Sequence, residues 1–120
     1  LKILIADDEP YIVTALEFLL EQSGYEVAVA RNGDEALAQI RSGRPDLVLL
    51  DVMMPARSGY DVCREVRASP ELARTKVVML SAKGGQADMG KGLEAGADLY
   101  ITKPFSNREL MDKIRQLLAS

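Results

Sequence analysis

The feature that most constrains this chain is a regular alternation of two hydrophobic periods. Five short apolar runs, Lys2 to Ala6, Tyr25 to Ala30, Leu47 to Leu50, Lys76 to Leu80 and Leu99 to Thr102, have the length and content of strands. Between and after them apolar residues recur at helical spacing: Val13, Leu16 and Leu20, then Ala36, Leu37 and Ile40, then Val62 and Val66, and finally Leu110, Ile114, Leu117 and Leu118. A fourth helix is expected over Gln86 to Ala95. It contains Gly90 and Gly92, each about 1 kcal/mol worse than alanine in a helix interior, and is expected to be the most mobile.

Strands alternating with helices imply a parallel sheet covered on both faces, with right-handed crossovers. Leu47-Val48-Leu49-Leu50 and Val77-Val78-Met79-Leu80 are apolar throughout, as central strands buried on both faces should be. The run from Tyr25 to Ala30 admits Glu26 and suits an edge. A doubly wound, flavodoxin-like (βα)5 domain of the α/β class, with a parallel five-stranded sheet in the order 2-1-3-4-5, meets all these demands. At 120 residues the chain is expected to form one such domain over residues 1–120, with no repeat or linker.

Charge and residue usage then exclude several functions. Fifteen basic against 18 acidic residues leave a net charge of −3, which gives no general attraction to nucleic acid or anionic lipid, so neither is expected as a direct partner. No apolar run is long enough to cross a bilayer, and the first one breaks at Asp7, too early for a signal peptide, so the cytoplasm is the expected compartment. With leucine at position 1, the chain reads as a trimmed product or a piece of something larger, and any output domain would lie outside it. The absence of histidine removes the commonest general base and metal ligand. Cys63 stands alone, at helical spacing with Val62 and Val66, and is read as a packed thiol.

In a doubly wound sheet, ligands bind beyond the carboxyl ends of the strands where the winding reverses, here between strands one and three. Asp7 and Asp8 follow strand one, Asp51 follows strand three, Ser81 follows strand four and Lys103 follows strand five. Taken singly, each has an ordinary structural explanation. Asp7 and Asp8 precede Glu9-Pro10 and would cap a helix, Asp51 would serve a turn before Met54-Pro55, Ser81 would be a cap hydroxyl and Lys103 a solvated charge. Brought to one sheet edge, three carboxylates would repel one another unless a cation relieved them, and oxygen-only ligands favour magnesium, with manganese and calcium behind it, over zinc.

Those residues sit in longer motifs: Ile5-Ala6-Asp7-Asp8-Glu9; Pro45-Asp46 leading through Leu47-Val48-Leu49-Leu50 to Asp51-Val52-Met53-Met54-Pro55, with Gly59 beyond; Ser81-Ala82; and Gly96-Ala97-Asp98-Leu99-Tyr100-Ile101-Thr102-Lys103-Pro104-Phe105. Together they make the chain resemble, over nearly all its length, a receiver domain of two-component response regulators. The order 2-1-3-4-5 is also that of the chemotaxis members of this family. The resemblance implies that Asp51 accepts a phosphoryl group from a histidine kinase, a phosphotransfer protein or a small acyl phosphate. It implies that Asp7, Asp8, the Asp51 carboxylate and the Met53 backbone carbonyl hold magnesium (or manganese), and that Lys103 and Ser81 contact phosphoryl oxygens. It further implies a switch in which Ser81 moves and Tyr100 turns into the space it leaves, altering the face of the fourth helix, fifth strand and fifth helix, and a cis Lys103-Pro104 bond.

Two departures carry expectations. Serine at position 81 lacks the methyl of the commoner threonine, so switching should be looser, and Leu99 replaces a second acid that charged-pair dimers carry on that face, which leaves a monomer or a phosphorylation-dependent dimer. Met53 and Lys83, each two residues past a site residue, border the path of hydrolytic water in this family and are expected to lengthen the life of a phosphoaspartate. The chain is thus expected to be a phosphoacceptor rather than a turnover enzyme. Two competing readings are an aspartate-nucleophile phosphohydrolase, which would want a second acid where Met53 stands, and a non-covalent flavodoxin-like binding module, for which no glycine-rich phosphate loop follows strand one.

Overall fold

The computed structural model describes residues 1–120. The elements run β1 (Lys2–Ala6), α1 (Pro10–Gln22), β2 (Glu26–Ala30), α2 (Gly33–Gly43), β3 (Leu47–Asp51), α3 (Gly59–Ala68), a short 3-10 turn (Pro70–Leu72), β4 (Lys76–Ser81), α4 (Gln86–Glu94), β5 (Leu99–Thr102) and α5 (Asn107–Leu118). All five strands are parallel, in the order β2-β1-β3-β4-β5. No helix is long and apolar enough to cross a membrane.

Alternation along the strands splits the core into two layers. Ile3 and Ile5 of β1, Leu47 and Leu49 of β3, and Val78 and Leu80 of β4 face α1 and α5, where they meet Val13, Leu16, Leu20, Leu110, Met111 and Ile114. Their neighbours Leu4, Ala6, Val48, Leu50, Val77 and Met79 face α2, α3 and α4. Every residue of β3 is buried, whereas β2 is largely half-exposed, in keeping with central and edge positions. Cys63 is buried among these side chains, and burial pushes its thiol up to about 11, so it behaves as a small hydrophobe.

Three helices start on side-chain caps: Asn32 Oδ1 accepts from Glu35 N–H at 2.8 Å, Ser58 Oγ from Asp61 N–H at 3.2 Å and Ser106 Oγ from Glu109 N–H at 3.3 Å. Neither α1 nor α4 has such a cap, and α4 is the weaker of the two. It follows Gly85 with no side-chain cap and buries only Gly92. Gly90 and Gly92 differ here in a way their spacing did not predict. A Cβ on Gly90 would meet open space, whereas one on Gly92 would come within 2.6 Å of the Tyr100 ring and 3.0 Å of Met79 Sδ. Gly92 is a packing requirement as well as a weak helix former.

Candidate functional site

The sheet order brings the ends of β1, β3, β4 and β5 to one edge. Asp51 and Ser81 are the last residues of β3 and β4, each strand running one residue further than expected, because pairing with the adjacent strands continues through them. Asp7 follows β1 directly, its N–H bonded to the Ala30 carbonyl of β2 at 3.1 Å. Asp8 is exposed and Asp51 is 4% exposed, with carboxylate oxygens of Asp7, Asp8 and Asp51 all within 4.8 Å of one another. The helix-capping explanation does not hold for Asp8. The N-cap of α1 is Glu9, which makes no side-chain cap bond, and the first turn contains no acid. It is Asp7 that accepts the Glu9 N–H, at 2.9 Å, and this orients its carboxylate toward the site.

Lys103, just past β5, is the cation of the cluster. Its Nζ lies 3.0 Å from Asp7 Oδ2, 3.6 Å from Asp51 Oδ1 and 3.5 Å from Glu9 Oε1. Burial pulls the Lys103 ammonium down, but the hydrogen bond to Asp7 and the charges of Asp51, Asp7 and Glu9 outweigh it and hold it above its ordinary value. Glu9 was named in the motif without a role; its contact with Lys103 comes from the helix start, which turns residue 9 back over the site. The Lys103–Pro104 bond is cis.

For Asp51 the balance falls the other way. Burial, aided by the nearby Asp7 and Asp8 charges, pushes its carboxyl up to about 6, against the opposing pull of Lys103 and of the Met53 N–H. The Met53 N–H donates to Asp51 Oδ1 at 3.4 Å, and Gly59 starts α3 against the Asp51 main chain, where any Cβ would overlap the Asp51 carbonyl oxygen. Three carboxylates and one lysine leave an excess of negative charge confined to a partly buried pocket. The donors are all oxygen, and the cluster suits a hard divalent cation.

On the β4 side, Ser81 is fully buried and its Oγ accepts the Lys83 N–H at 3.0 Å. Tyr100 of β5 is 7% exposed, turned inward under α4, and its hydroxyl donates to the Lys83 carbonyl at 2.6 Å. Lys83 is therefore held at its N–H by Ser81 and at its carbonyl by Tyr100, so the main chain of one residue links the two. Tyr60 lies alongside: its hydroxyl donates to the Asp88 carbonyl in α4 at 3.2 Å, and burial with the neighbouring Tyr100 pushes its phenol up to about 12. Tyr60 was not singled out from sequence, where an aromatic at the start of a helix carries no distinguishing signal. The side chains of Met53 and Lys83 are both exposed.

Fold and site together define a flavodoxin-like α/β domain with an acidic, lysine-bearing pocket at the switch point of its sheet. The response regulator receiver domain family matches residues 3–115, and the chain belongs to that family. It is similar to a protein described as a response regulator from Chloroflexus aurantiacus (39% identity, 99% of this chain and 98% of that one, TM-score 0.94). It is also similar to the BeF3-activated N-terminal receiver domain of RstA from Klebsiella pneumoniae (31% identity, 100% of each chain, TM-score 0.93). A third solved relative is the receiver domain of the sensor histidine kinase PA1611 from Pseudomonas aeruginosa, which has a magnesium ion coordinated in its active site cleft (32% identity, 99% of this chain and 98% of that one, TM-score 0.91). The chain is thus a receiver domain of the two-component type, a phosphoacceptor signalling module whose relatives work with histidine kinases. Neither the phosphohydrolase nor the flavodoxin-like binding reading is favoured.

Proposed function

We propose that residues 1–120 act as one receiver unit in which Asp51 accepts a phosphoryl group from a histidine kinase or phosphotransfer protein and passes the event to an output partner. The observation that carries this reading is the confinement of Asp7, Asp8 and Asp51 within 4.8 Å, with Lys103 against two of them. Asp7, Asp8, the Asp51 carboxylate and the Met53 carbonyl would hold magnesium, or manganese, which supplies neutralisation of phosphoryl charge. Asp51 Oδ is the nucleophile, largely ionised at pH 7 even with its carboxyl near 6. Lys103 supplies a fixed positive charge for an equatorial phosphoryl oxygen, and the Ser81 hydroxyl can donate to another while still accepting from Lys83. The acyl phosphate forms as the donor's phosphorus–nitrogen bond, or phosphorus–oxygen bond in a small acyl phosphate, breaks.

The switch in this reading runs through Lys83. A phosphoryl group that draws on Ser81 shifts the Lys83 N–H, and Tyr100, bonded to the Lys83 carbonyl, follows, changing the surface of α4, β5 and α5. The inward Tyr100 is one end of that motion, and it occupies the space that Gly92 leaves open. Met53 and Lys83, exposed and each two residues past a site residue, would hinder water from reaching the phosphoaspartate. The test is intact-protein mass spectrometry after incubation with acetyl phosphate, on the parent and an Asp51→Asn variant, with and without magnesium. One added phosphoryl group on the parent alone, and only with magnesium, is the expected result. An unmodified parent, or equal modification of the variant, would remove the proposal.

A further inference from the structure

The loop from β3 to α3 carries the Met53 carbonyl, yet little holds Met53 itself. Its side chain is 57% exposed and its N–H makes only the 3.4 Å bond to Asp51. The loop is fixed instead at its base and its tip. At the base, Gly59 N–H donates to the Val52 carbonyl at 3.0 Å and Val52 N–H donates to the Leu80 carbonyl at 3.2 Å. At the tip, Arg57 N–H donates to the Pro55 carbonyl at 2.8 Å around Ala56, whose φ of 71° makes this a γ-turn of the rarer, strained form. A non-glycine residue keeps such a conformation only where its surroundings over-determine it.

Those surroundings are α2 and α3. The Pro55 carbonyl also accepts the N–H of Gly33, the first residue of α2, at 3.2 Å, and Gly33 lies so close that a Cβ there would overlap the Arg57 carbonyl oxygen. The Arg57 guanidinium then spans both helices: its Nε is 2.8 Å from Asp34 Oδ1 of α2 and its Nη1 is 2.9 Å from Glu65 Oε1 of α3. We infer that Arg57 is a positioning residue for the cation site: by clamping the strained tip of the β3–α3 loop to α2 and α3, it fixes the Met53 carbonyl and so sets metal affinity. The inference rests on the proposed metal role of Met53. Exposed ion pairs of this kind contribute little to global stability, so loss of the clamp should act on the loop more than on the fold.

The sign of the effect separates positioning from electrostatics. Removing a positive charge from the vicinity of an acidic site should, by charge alone, tighten cation binding. The clamp predicts weaker binding. The experiment is calorimetric titration of magnesium chloride into the parent, Arg57→Gln, Arg57→Lys and, as a control, Arg64→Gln, which breaks only the Arg64–Asp61 pair within α3. Hydrogen exchange of residues 53–57 and thermal midpoints are measured alongside. Arg57→Gln should bind magnesium about tenfold more weakly, the low end of what outer-shell partners of a metal site contribute, with faster exchange in the loop. Its midpoint should fall by no more than about 3 °C. Arg57→Lys should lie between, since a point charge can serve one carboxylate but not fork to two, and Arg64→Gln should match the parent. Phosphorylation of Arg57→Gln by acetyl phosphate should recover the parental rate at saturating magnesium. Unchanged or tighter magnesium binding in Arg57→Gln, or equal weakening in Arg64→Gln, overturns the inference while leaving the proposed function standing. A parent that binds no magnesium overturns both.

Discussion

Replacing Asp51 by asparagine should stabilise the metal-free protein, even though it removes a contact with Lys103. The Asp51 carboxyl is pushed from its ordinary 3.8 to about 6, chiefly by burial, with Asp7 next. A folded-state value above the unfolded one means that the native protein binds the proton more tightly, so ionising this group destabilises the fold as pH rises between the two values. Over the whole interval the penalty amounts to about 3 kcal/mol, discounted to about 2 kcal/mol for the open mouth of the site. Asparagine has the shape of the neutral acid without the ionisation. Urea denaturation in EDTA should therefore show Asp51→Asn more stable than the parent by about 2 kcal/mol at pH 7.5, shrinking to about a third of that at pH 4.5. Magnesium should close the gap by stabilising the parent in proportion to its occupancy. Equal or lower stability of the variant at pH 7.5 without metal, or a difference independent of pH, would refute the claim that Asp51 carries uncompensated charge.

The two glycines of α4 offer a paired test, since Gly90→Ala should stabilise by about 0.5–1 kcal/mol, whereas Gly92→Ala, facing the Tyr100 ring at 2.6 Å, should destabilise by about 1–3 kcal/mol. Urea midpoints give the signs, and tyrosine side-chain NMR shows whether Tyr100 is displaced only by the second change. Arg67→Ala removes hydrogen bonds to the Gly96 and Thr75 carbonyls at 2.7 and 2.8 Å and the 2.7 Å pair with Asp98. It should cost about 2–3 kcal/mol, read by chemical denaturation, with magnesium affinity unchanged because the pin lies at the far end of the sheet. Met53→Asn should shorten the half-life of the phosphorylated form about several-fold, followed by loss of the added mass after removal of acetyl phosphate. No acceleration would discount a shielding role for Met53.

How much of this was legible beforehand depended on the range of the interactions involved. Strands announced themselves because β3 and β4 are apolar on both faces, and the site followed because a parallel sheet of this order has a single place where the ends of β1, β3, β4 and β5 converge. The strand ends were read one residue short at Asp51 and Ser81, since a polar residue that continues a ladder looks in sequence like the start of a loop. Arg57 and Arg67 passed unremarked for a different reason. A lone arginine on a helix or loop looks like a solvated charge, and what makes these two structural are partners 8 to 31 residues away, at Asp34, Glu65, Thr75, Gly96 and Asp98. Gly92 illustrates the same limit from the packing side. Helix propensity treats it like Gly90, and only the Tyr100 ring and the Met79 sulfur distinguish them. The inward setting of Tyr100 likewise required the Lys83 carbonyl, a main-chain atom that no side-chain pattern reveals.

The central claim is that the buried carboxylate at the end of β3 forms an acyl phosphate. Borohydride reduces an acyl phosphate to an alcohol, turning a phosphorylated aspartate into homoserine at its own position. The decisive measurement is peptide mass spectrometry of the full chain treated with acetyl phosphate and magnesium and then with borohydride. Homoserine at position 51, absent when magnesium is withheld, is the predicted result. Aspartate surviving at position 51 while reduction appears at Asp7 or Asp8, or nowhere, would contradict the account.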